Sequence, residues 1–323
     1  MKEININEIQ GFKIGNAQNL EAATGCTVII CDNGALCGVD VRGGSPGTRD
    51  TDALNPVNNR EKVHAVLLSG GSSFGLDAAG GVMKYLEERK IGRDVAVTIV
   101  PNVCAAVLFD LKCGSSQIRP DIDMGYAACE NAFLGMKFQS GNFGAGTGAT
   151  VGKFGGLNYA MKGGIGCYAF QHDSLCVGAI MAVNCVGDIY DNETGKIIAG
   201  ARTANNDGFV DSENLFLNQY NKNHDLFSGN TIIGCVITNA NLAKSQSTKL
   251  ASLAHNGIAR IVRPAHTVFD GDTIFTMCTG KITTTLDAVG ILASRAIEYA
   301  IMDAVKSAES YDNFPAMKDL GSI

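Results

Sequence analysis

Ser228-Gly229-Asn230-Thr231-Ile232-Ile233-Gly234-Cys235-Val236-Ile237-Thr238 joins a polar loop to an apolar, β-branched run. The run reads as a buried strand beginning at Thr231. A hydroxyl therefore stands at the mouth of a rigid element. If the chain opened between Asn230 and Thr231, Thr231 would carry a free α-amine beside its own Oγ, the threonine form of an activated nucleophile. An Asn-Thr pair before a strand is also ordinary loop chemistry, so the rest of the chain has to decide.

Outward from this junction, the flanks read as follows. Asp188 to Gly229 is polar and Asn-rich, with Asn205, Asn206, Asn218, Asn221 and Asn223, and is expected to be an exposed or disordered excursion. After the Thr231 strand, Leu242 to Val262 reads as a helix stopped by Pro264, Asp270-Gly271-Asp272 as a tight acidic turn, and Thr273 to Cys278 as a strand. Leu286, Val289, Ala293, Ala296, Ala300 and Ala304 recur at helical spacing and predict a long terminal helix. Upstream, Gly25 to Cys31 and Ala35 to Val41 read as a hairpin around Asp32-Asn33-Gly34. A long loop, Gly43 to Asn59, leads to a strand from Val63 to Ser69, the turn Gly70 to Gly75 and an amphipathic helix from Leu76 to Arg89. Val95 to Val100 is expected to be a strand, Asn102 to Asp110 a small-residue apolar segment, and Pro120 to Leu134 a helix. Gly141 to Gly156 is glycine-dense and includes Lys153; Lys162 to Gly166 opens a strand pair whose second member is Leu175 to Val186, with Asn184 inside it. Strands and helices cluster rather than alternate, which favours α+β with layered sheets over a doubly wound sheet.

The 323 residues are 46% hydrophobic and 18% charged, enough to bury a sizeable core. A net charge of −6 without a basic run argues against nucleic acid and anionic membrane partners. The first ten residues lack an apolar signal-peptide core, and the longest apolar stretch, Cys176 to Val186, is too short to span a bilayer. Eleven cysteines, with no CxxC pair, are expected to be reduced and buried in a cytoplasmic protein rather than to hold zinc. No metal or organic cofactor is implied.

Three sites compete. Gly71-Ser72-Ser73-Phe74-Gly75 matches G-x-S-x-G between a strand and a helix, the context of a nucleophile elbow, with Ser73 as nucleophile and His255 or His266 downstream. The same loop, read as a phosphate cradle, lacks G-K-[ST] and any positive charge. The third site is Thr231 with Lys153, Asn184, Asp270 and Asp272; each of these taken alone has an ordinary structural use.

Gly43-Gly44-Ser45-Pro46-Gly47-Thr48 with Thr51-Asp52, Gly70 to Gly81, Ala105 to Asp110, Gly144-Ala145-Gly146-Thr147-Gly148, Lys162 to Gly166, Asn230-Thr231 and Asp270-Gly271-Asp272 occur in this order. Together they resemble the L-aminopeptidase/D-esterase family of N-terminal nucleophile hydrolases, from about Gly15 to the C-terminus. The likeness is greater to its 6-aminohexanoate-oligomer hydrolase branch than to its aminopeptidase branch, which carries a Tyr near the Lys153 position and Ser-Gly-Glu in place of Asp270-Gly271-Asp272. The resemblance implies a single-domain precursor, 1–323, in a four-layer αββα sandwich. It implies self-cleavage at Asn230–Thr231 into chains 1–230 and 231–323; because an amide is a hard electrophile, backbone strain at Gly229-Asn230 is expected to help. It implies catalysis by Thr231, Lys153, Asn184, Asp270 and Asp272 on small peptides, amides or ω-amino acid oligomers, and assembly as a homotetramer or larger. A serine hydrolase using Ser73, and a non-catalytic metabolite-binding or assembly member of the same fold, are the alternatives.

Overall fold

The computed structural model describes residues 1–219 and 229–320. Ten strands form one large mixed sheet: β1 Lys2–Ile4, β2 Lys13–Asn19, β3 Thr24–Val41, β4 Thr48–Arg49, β5 Lys62–Ser69, β6 Val103–Val107, β7 Gly164–His172, β8 Leu175–Asn184, β9 Thr231–Asn241 and β10 Thr273–Thr283. Five helices accompany them: α1 Ala78–Glu88, α2 Ile122–Phe133, α3 Ser212–Asn218, α4 Lys244–Ile261 and α5 Leu286–Lys306. The sheet order is β1-β7-β8-β9-β10-β3-β5-β6-β4, with β2 added on β3. The β9–β10 and β5–β6 pairs are parallel and the others antiparallel.

The central strands are apolar throughout because both faces are covered. Along β9, Ile233, Cys235 and Ile237 enter one core while Ile232 and Val236 enter another, the period-2 alternation of a strand. The second of these cores packs β8, β9 and β10 against Leu250, Ala254 and Ile258 of α4 and Val289, Ala293 and Ala300 of α5. The first brings Ile180, Ile233 and Phe275 together with Ile29, Val66, Leu68 and Cys104. A third sets Val28, Ala65, Leu67 and Ala105 against Val82 and Leu86 of α1 and Ala128 of α2.

Three expectations need correction. Gly25 to Val41 is not a hairpin but one long strand. The parts of β3 pair with other strands: β2 takes Thr24 to Ile30, β5 takes Cys26 to Ile30 and again Ala35 and Leu36, β10 takes Leu36 to Val41, and the two halves never pair with each other. Asp32-Asn33-Gly34 is a bulge between the Ile30–Ala65 and Ala35–Val63 pairs, with Gly34 at φ +68°. Val95 to Val100 is not a sheet strand. Arg93–Asp94 and Ile99–Val100 make a small ribbon whose tip residue Val97 is 91% exposed, and the sheet strand is Val103–Val107, inside the small-residue segment. Finally, residues 188–219 are only in part an exposed excursion: Asn205, Asn206 and Asn218 are exposed, but the segment is tied to the body of the protein. Asp188–Tyr190 pairs with Ile197–Ala199 and Val262–Arg263, and the fully buried Asp188 accepts hydrogen bonds from Ala201 N and from Ser212 N and Oγ. Asn221 and Asn223 lie outside the described residues. No helix among the described residues is long and apolar enough to cross a membrane.

Candidate active site

Thr231 opens β9 and Asn184 closes β8; antiparallel register sets them opposite each other. Asp270, Gly271 and Asp272 lead into β10, the parallel neighbour of β9, so they run alongside Asn230 and Thr231. Lys153 sits in a short turn after Gly152, pinned by Gly152 N to Gly187 O and Lys153 N to Val186 O. The five residues singled out from sequence therefore converge, and each is nearly or fully buried.

The Thr231 hydroxyl donates to the carbonyl oxygen of Asn230, the carbonyl of its own preceding peptide. Gly271 N donates to the same oxygen at 2.9 Å. Asn184 Oδ1 accepts from Lys153 Nζ at 3.0 Å and from Thr150 N at 2.9 Å. That fixes the amide, and its Nδ2 donates to Phe109 O at 3.0 Å and Gly229 O at 3.1 Å. Lys153 Nζ also donates to Asn184 O at 2.9 Å. Asp272 accepts from Ile232 N at 2.6 Å through Oδ1, while its Oδ2 meets His266 Nδ1 at 2.8 Å. Asp270 Oδ2 accepts from Thr267 N at 2.9 Å and Thr267 Oγ1 at 2.6 Å; its buried Oδ1 has no hydrogen bond among the described residues.

Burial dominates the electrostatics. It lowers the Lys153 amine to about 8. It raises Asp270 to about 7, with the neighbouring Asp272 carboxylate adding to the rise and Thr267 and Lys153 opposing it. Both groups are thus brought from opposite ends of the scale towards neutrality, a pattern frequent at functional sites.

A cavity of about 210 Å³ opens beside Thr231, lined by Ser45, Pro46, Phe109, Gly229 and Phe269 among others. Ser73 lines the same cavity. No described hydrogen bond joins it to an imidazole or carboxylate. His255 Nε2 lies 3.0 Å from Asp40 O, and His266 is on Asp272, with the two rings 4.8 Å apart. The elbow loop therefore has the expected strand–turn–helix setting without a triad among the described residues. The strain expected before the junction is not at Gly229. It adopts φ +56°, open to glycine without penalty, and an added Cβ would sit 2.2 Å from Phe109. Sequence reasoning missed Gly271 N–H, and it placed His266 with Ser73. The spacing His266-Thr267-x-x-Asp270-Gly271-Asp272 was the available signal for the latter. Among the described residues no group of three His, Cys, Asp or Glu side chains forms a metal site.

The fold is that of an N-terminal nucleophile hydrolase variant. The L-aminopeptidase D-Ala-esterase/amidase of Ochrobactrum anthropi, described as a new variant among the Ntn hydrolase fold, superposes with a TM-score of 0.71 at 17% identity over 98% of this chain and 91% of its own. A Burkholderia β-aminopeptidase superposes at 0.68 with 18% identity, over 98% and 92%. The chain belongs to peptidase family S58, whose model matches residues 5–317. It is 37% identical to an uncharacterized aminopeptidase of Mycobacterium leprae, over 96% of this chain and 92% of that one. It is 30% identical to the 6-aminohexanoate-oligomer endohydrolase of Paenarthrobacter ureafaciens, over 93% and 85%. It is a hydrolase acting on amide bonds.

Proposed function

We propose that this hydrolase matures by cutting its own Asn230–Thr231 bond and then uses the new N-terminal Thr231 as nucleophile. The observation that carries the reading is the Asn230 carbonyl, which holds the Thr231 hydroxyl on one side and the Gly271 N–H at 2.9 Å on the other. In maturation, Thr231 Oγ bonds to the Asn230 carbonyl carbon, and the C–N bond to Thr231 breaks. The hydroxyl proton ends on the released amine. Water then hydrolyses the ester, giving a C-terminal Asn230 and restoring the hydroxyl. Gly271 N–H stabilises the oxyanion. The products are chains 1–230 and 231–323.

In turnover, the α-amine, with a reference pKa of about 7.7–8.0, is the general base. Asp270 Oδ1, buried and without a described partner, is the acceptor that holds it, and Asp272 fixes the adjoining backbone through Ile232 N. Lys153 locks Asn184 by its Oδ1, so that Nδ2, once the Gly229 end withdraws, donates to the substrate oxyanion. Small peptides, amino-acid or β-amino amides and ω-amino acid oligomers are the substrate classes. The four-layer αββα arrangement belongs to the same proposal and is supported by the three successive cores. So does assembly as a tetramer or larger, which light scattering tests.

The functional test is turnover of this substrate panel by the purified protein. Thr231→Ala is expected to be inactive and Thr231→Ser to retain activity. Activity that survives Thr231→Ala and disappears in Ser73→Ala moves the nucleophile to Ser73.

A further inference from the structure

Asp272 is the more firmly held of the two site carboxylates, and the residue that holds it, His266, takes no part in the steps proposed for Thr231. Asp272 Oδ1 accepts from Ile232 N at 2.6 Å. Its Oδ2 meets two groups of His266, the main-chain N at 3.2 Å and the ring Nδ1 at 2.8 Å. Asp270, by contrast, is held on Oδ2 alone, by Thr267. The continuous ladder between β9 and β10 begins at Ile233–Thr273. One residue earlier, the Asp272 side chain receives the Ile232 amide, and that amide belongs to the peptide bond joining Thr231 to Ile232. A line of contacts therefore runs from the His266 ring through Asp272 to the residue that carries the proposed nucleophile.

The contacts also decide the tautomer. An ionised carboxylate only accepts, so Nδ1 carries the ring proton. His266 Nε2 is buried and has no hydrogen-bond partner among the described residues, so a proton there would meet no acceptor. The bond made by one ring nitrogen thus sets the state of the other. The ring is seated edge-on against His255 of α4, with centroids 4.8 Å apart and planes at 73°. His255 is fully buried, its Nε2 lies 3.0 Å from Asp40 O, and burial lowers its pKa to about 4, so it presents an uncharged wall at neutral pH. His266 itself takes the left-handed backbone, φ +56°, a conformation in which Gly, Asn, Asp and His are the residues most often found. It is not among the residues lining the Thr231 cavity, so it reaches the chemistry only through Asp272.

We propose that His266 is a positioning residue for the hydrolysis: its Nδ1–H holds the Asp272 carboxylate, which holds the Ile232 N–H and with it the freed amine and hydroxyl of Thr231. Before cleavage Thr231 is tethered by peptide bonds on both sides. Afterwards it is tethered on the Ile232 side alone, so the position of its Oγ depends more on the anchor at Ile232 N. Losing the His266 donor therefore weighs on turnover more than on maturation. The role in turnover rests on the Thr231 reading above; the His266–Asp272 pair itself does not.

The experiment compares His266→Gly with His266→Asn. Both replacements accept the left-handed backbone, but only Asn returns an N–H donor near the Nδ1 position. Kinetics on the amide panel are measured per mole of cut chain. His266→Gly is expected to be cut and to lose kcat by about 10- to 100-fold, the scale of a misplacement of about 1 Å, with KM little changed. His266→Asn is expected to recover most of that loss. A residue that only stabilises the fold would lower the melting temperature and leave kcat per cut chain as it was. An unchanged kcat in His266→Gly, equal losses in the two variants, or a loss carried by KM overturns the proposal. A second arm needs no activity: ¹⁵N spectra of the histidine-labelled Thr231→Ala protein, with the His266 signals assigned by their absence when His266→Asn is added. A proton on Nδ1 and a bare Nε2 are expected, and the reverse tautomer overturns the proposal. Activity lost in Thr231→Ala but not in His266→Gly refutes the positioning role and spares the nucleophile. Turnover by Thr231→Ala removes the nucleophile reading and the turnover role of His266 together.

Discussion

Asp270 and Lys153 show how single residues couple stability to chemistry. The folded pKa of Asp270 is raised to about 7 from 3.8, so between these values the folded chain binds more protons than the unfolded one. Its contribution to stability is complete below about pH 4 and is lost as pH rises through 7. Lys153 is lowered to about 8 from 10.5. Its contribution is complete above about 10.5 and is lost as pH falls through 8. Asp270→Asn is therefore expected to flatten the fall in melting temperature between pH 4 and 7; an unchanged slope would show that Asp270 is not the group responsible. At Gly271, an added Cβ would lie 2.8 Å from Thr231 Oγ1 and 2.8 Å from Ser45 O. Gly271→Ala should slow maturation by about 100-fold, the scale of a 1 Å misplacement, as followed by the time course of the uncut band. Processing at the normal rate would remove Gly271 from the oxyanion role. The side chains of the candidate site were legible in the sequence through the family resemblance, since a hydroxyl at a strand start, an amide in an apolar run and paired carboxylates each have ordinary structural uses when taken alone. Gly271 N–H and Phe109 C=O were not, since main-chain donors and acceptors carry no residue signature.

At the scale of elements, the glycine-dense segment from Gly141 to Gly156 is held by a residue that plays no part in the proposed chemistry. Lys162 is fully buried, and its Nζ donates to Gly146 O at 3.3 Å, Ala149 O at 2.9 Å and Gly163 O at 3.3 Å. The loop it ties down delivers Thr150 N to Asn184 Oδ1. Lys162→Met removes the buried amine that the three carbonyls share, although Gly146 O keeps Ala149 N at 3.2 Å and Ala149 O keeps Gly163 N at 2.8 Å. It should cost about 2 kcal/mol or more in denaturant unfolding and slow maturation in parallel; a variant as stable as the parent would make these contacts dispensable. The helices were readable from periodicity and stop signals, and α4 ends just before the predicted Pro264. The bulge in β3 was not, because Asp-Asn-Gly serves a tight turn and a strand irregularity equally well. Only long-range pairing with β5 and β10 chooses between them. The polar segment 188–219 misled for a related reason: Asp188 and Ser212 are buried because they satisfy each other.

For the whole molecule, the junction at Thr231 falls between two neighbouring strands of the sheet. Chain 231–323 would contribute β9, β10, α4 and α5, whereas β8 and β3, which flank β9 and β10, belong to 1–230. The same cores are built from both chains. Cleavage is thus expected to leave one particle, and the two chains should co-elute in native size-exclusion chromatography and separate only in denaturant. Dissociation without denaturant would mean that the shared cores do not hold the cut protein together. The mixed α+β class was legible from clustered strands and helices. The order of strands was not, since it depends on which apolar faces meet across more than a hundred residues.

The most direct test of the central claim is the intact mass of the purified protein after a denaturing gel. The account predicts two chains whose masses meet between Asn230 and Thr231, and a single uncut chain for Thr231→Ala. A full-length chain that turns over amides without ever being cut, or a Thr231→Ala protein that is cut and active, would contradict it.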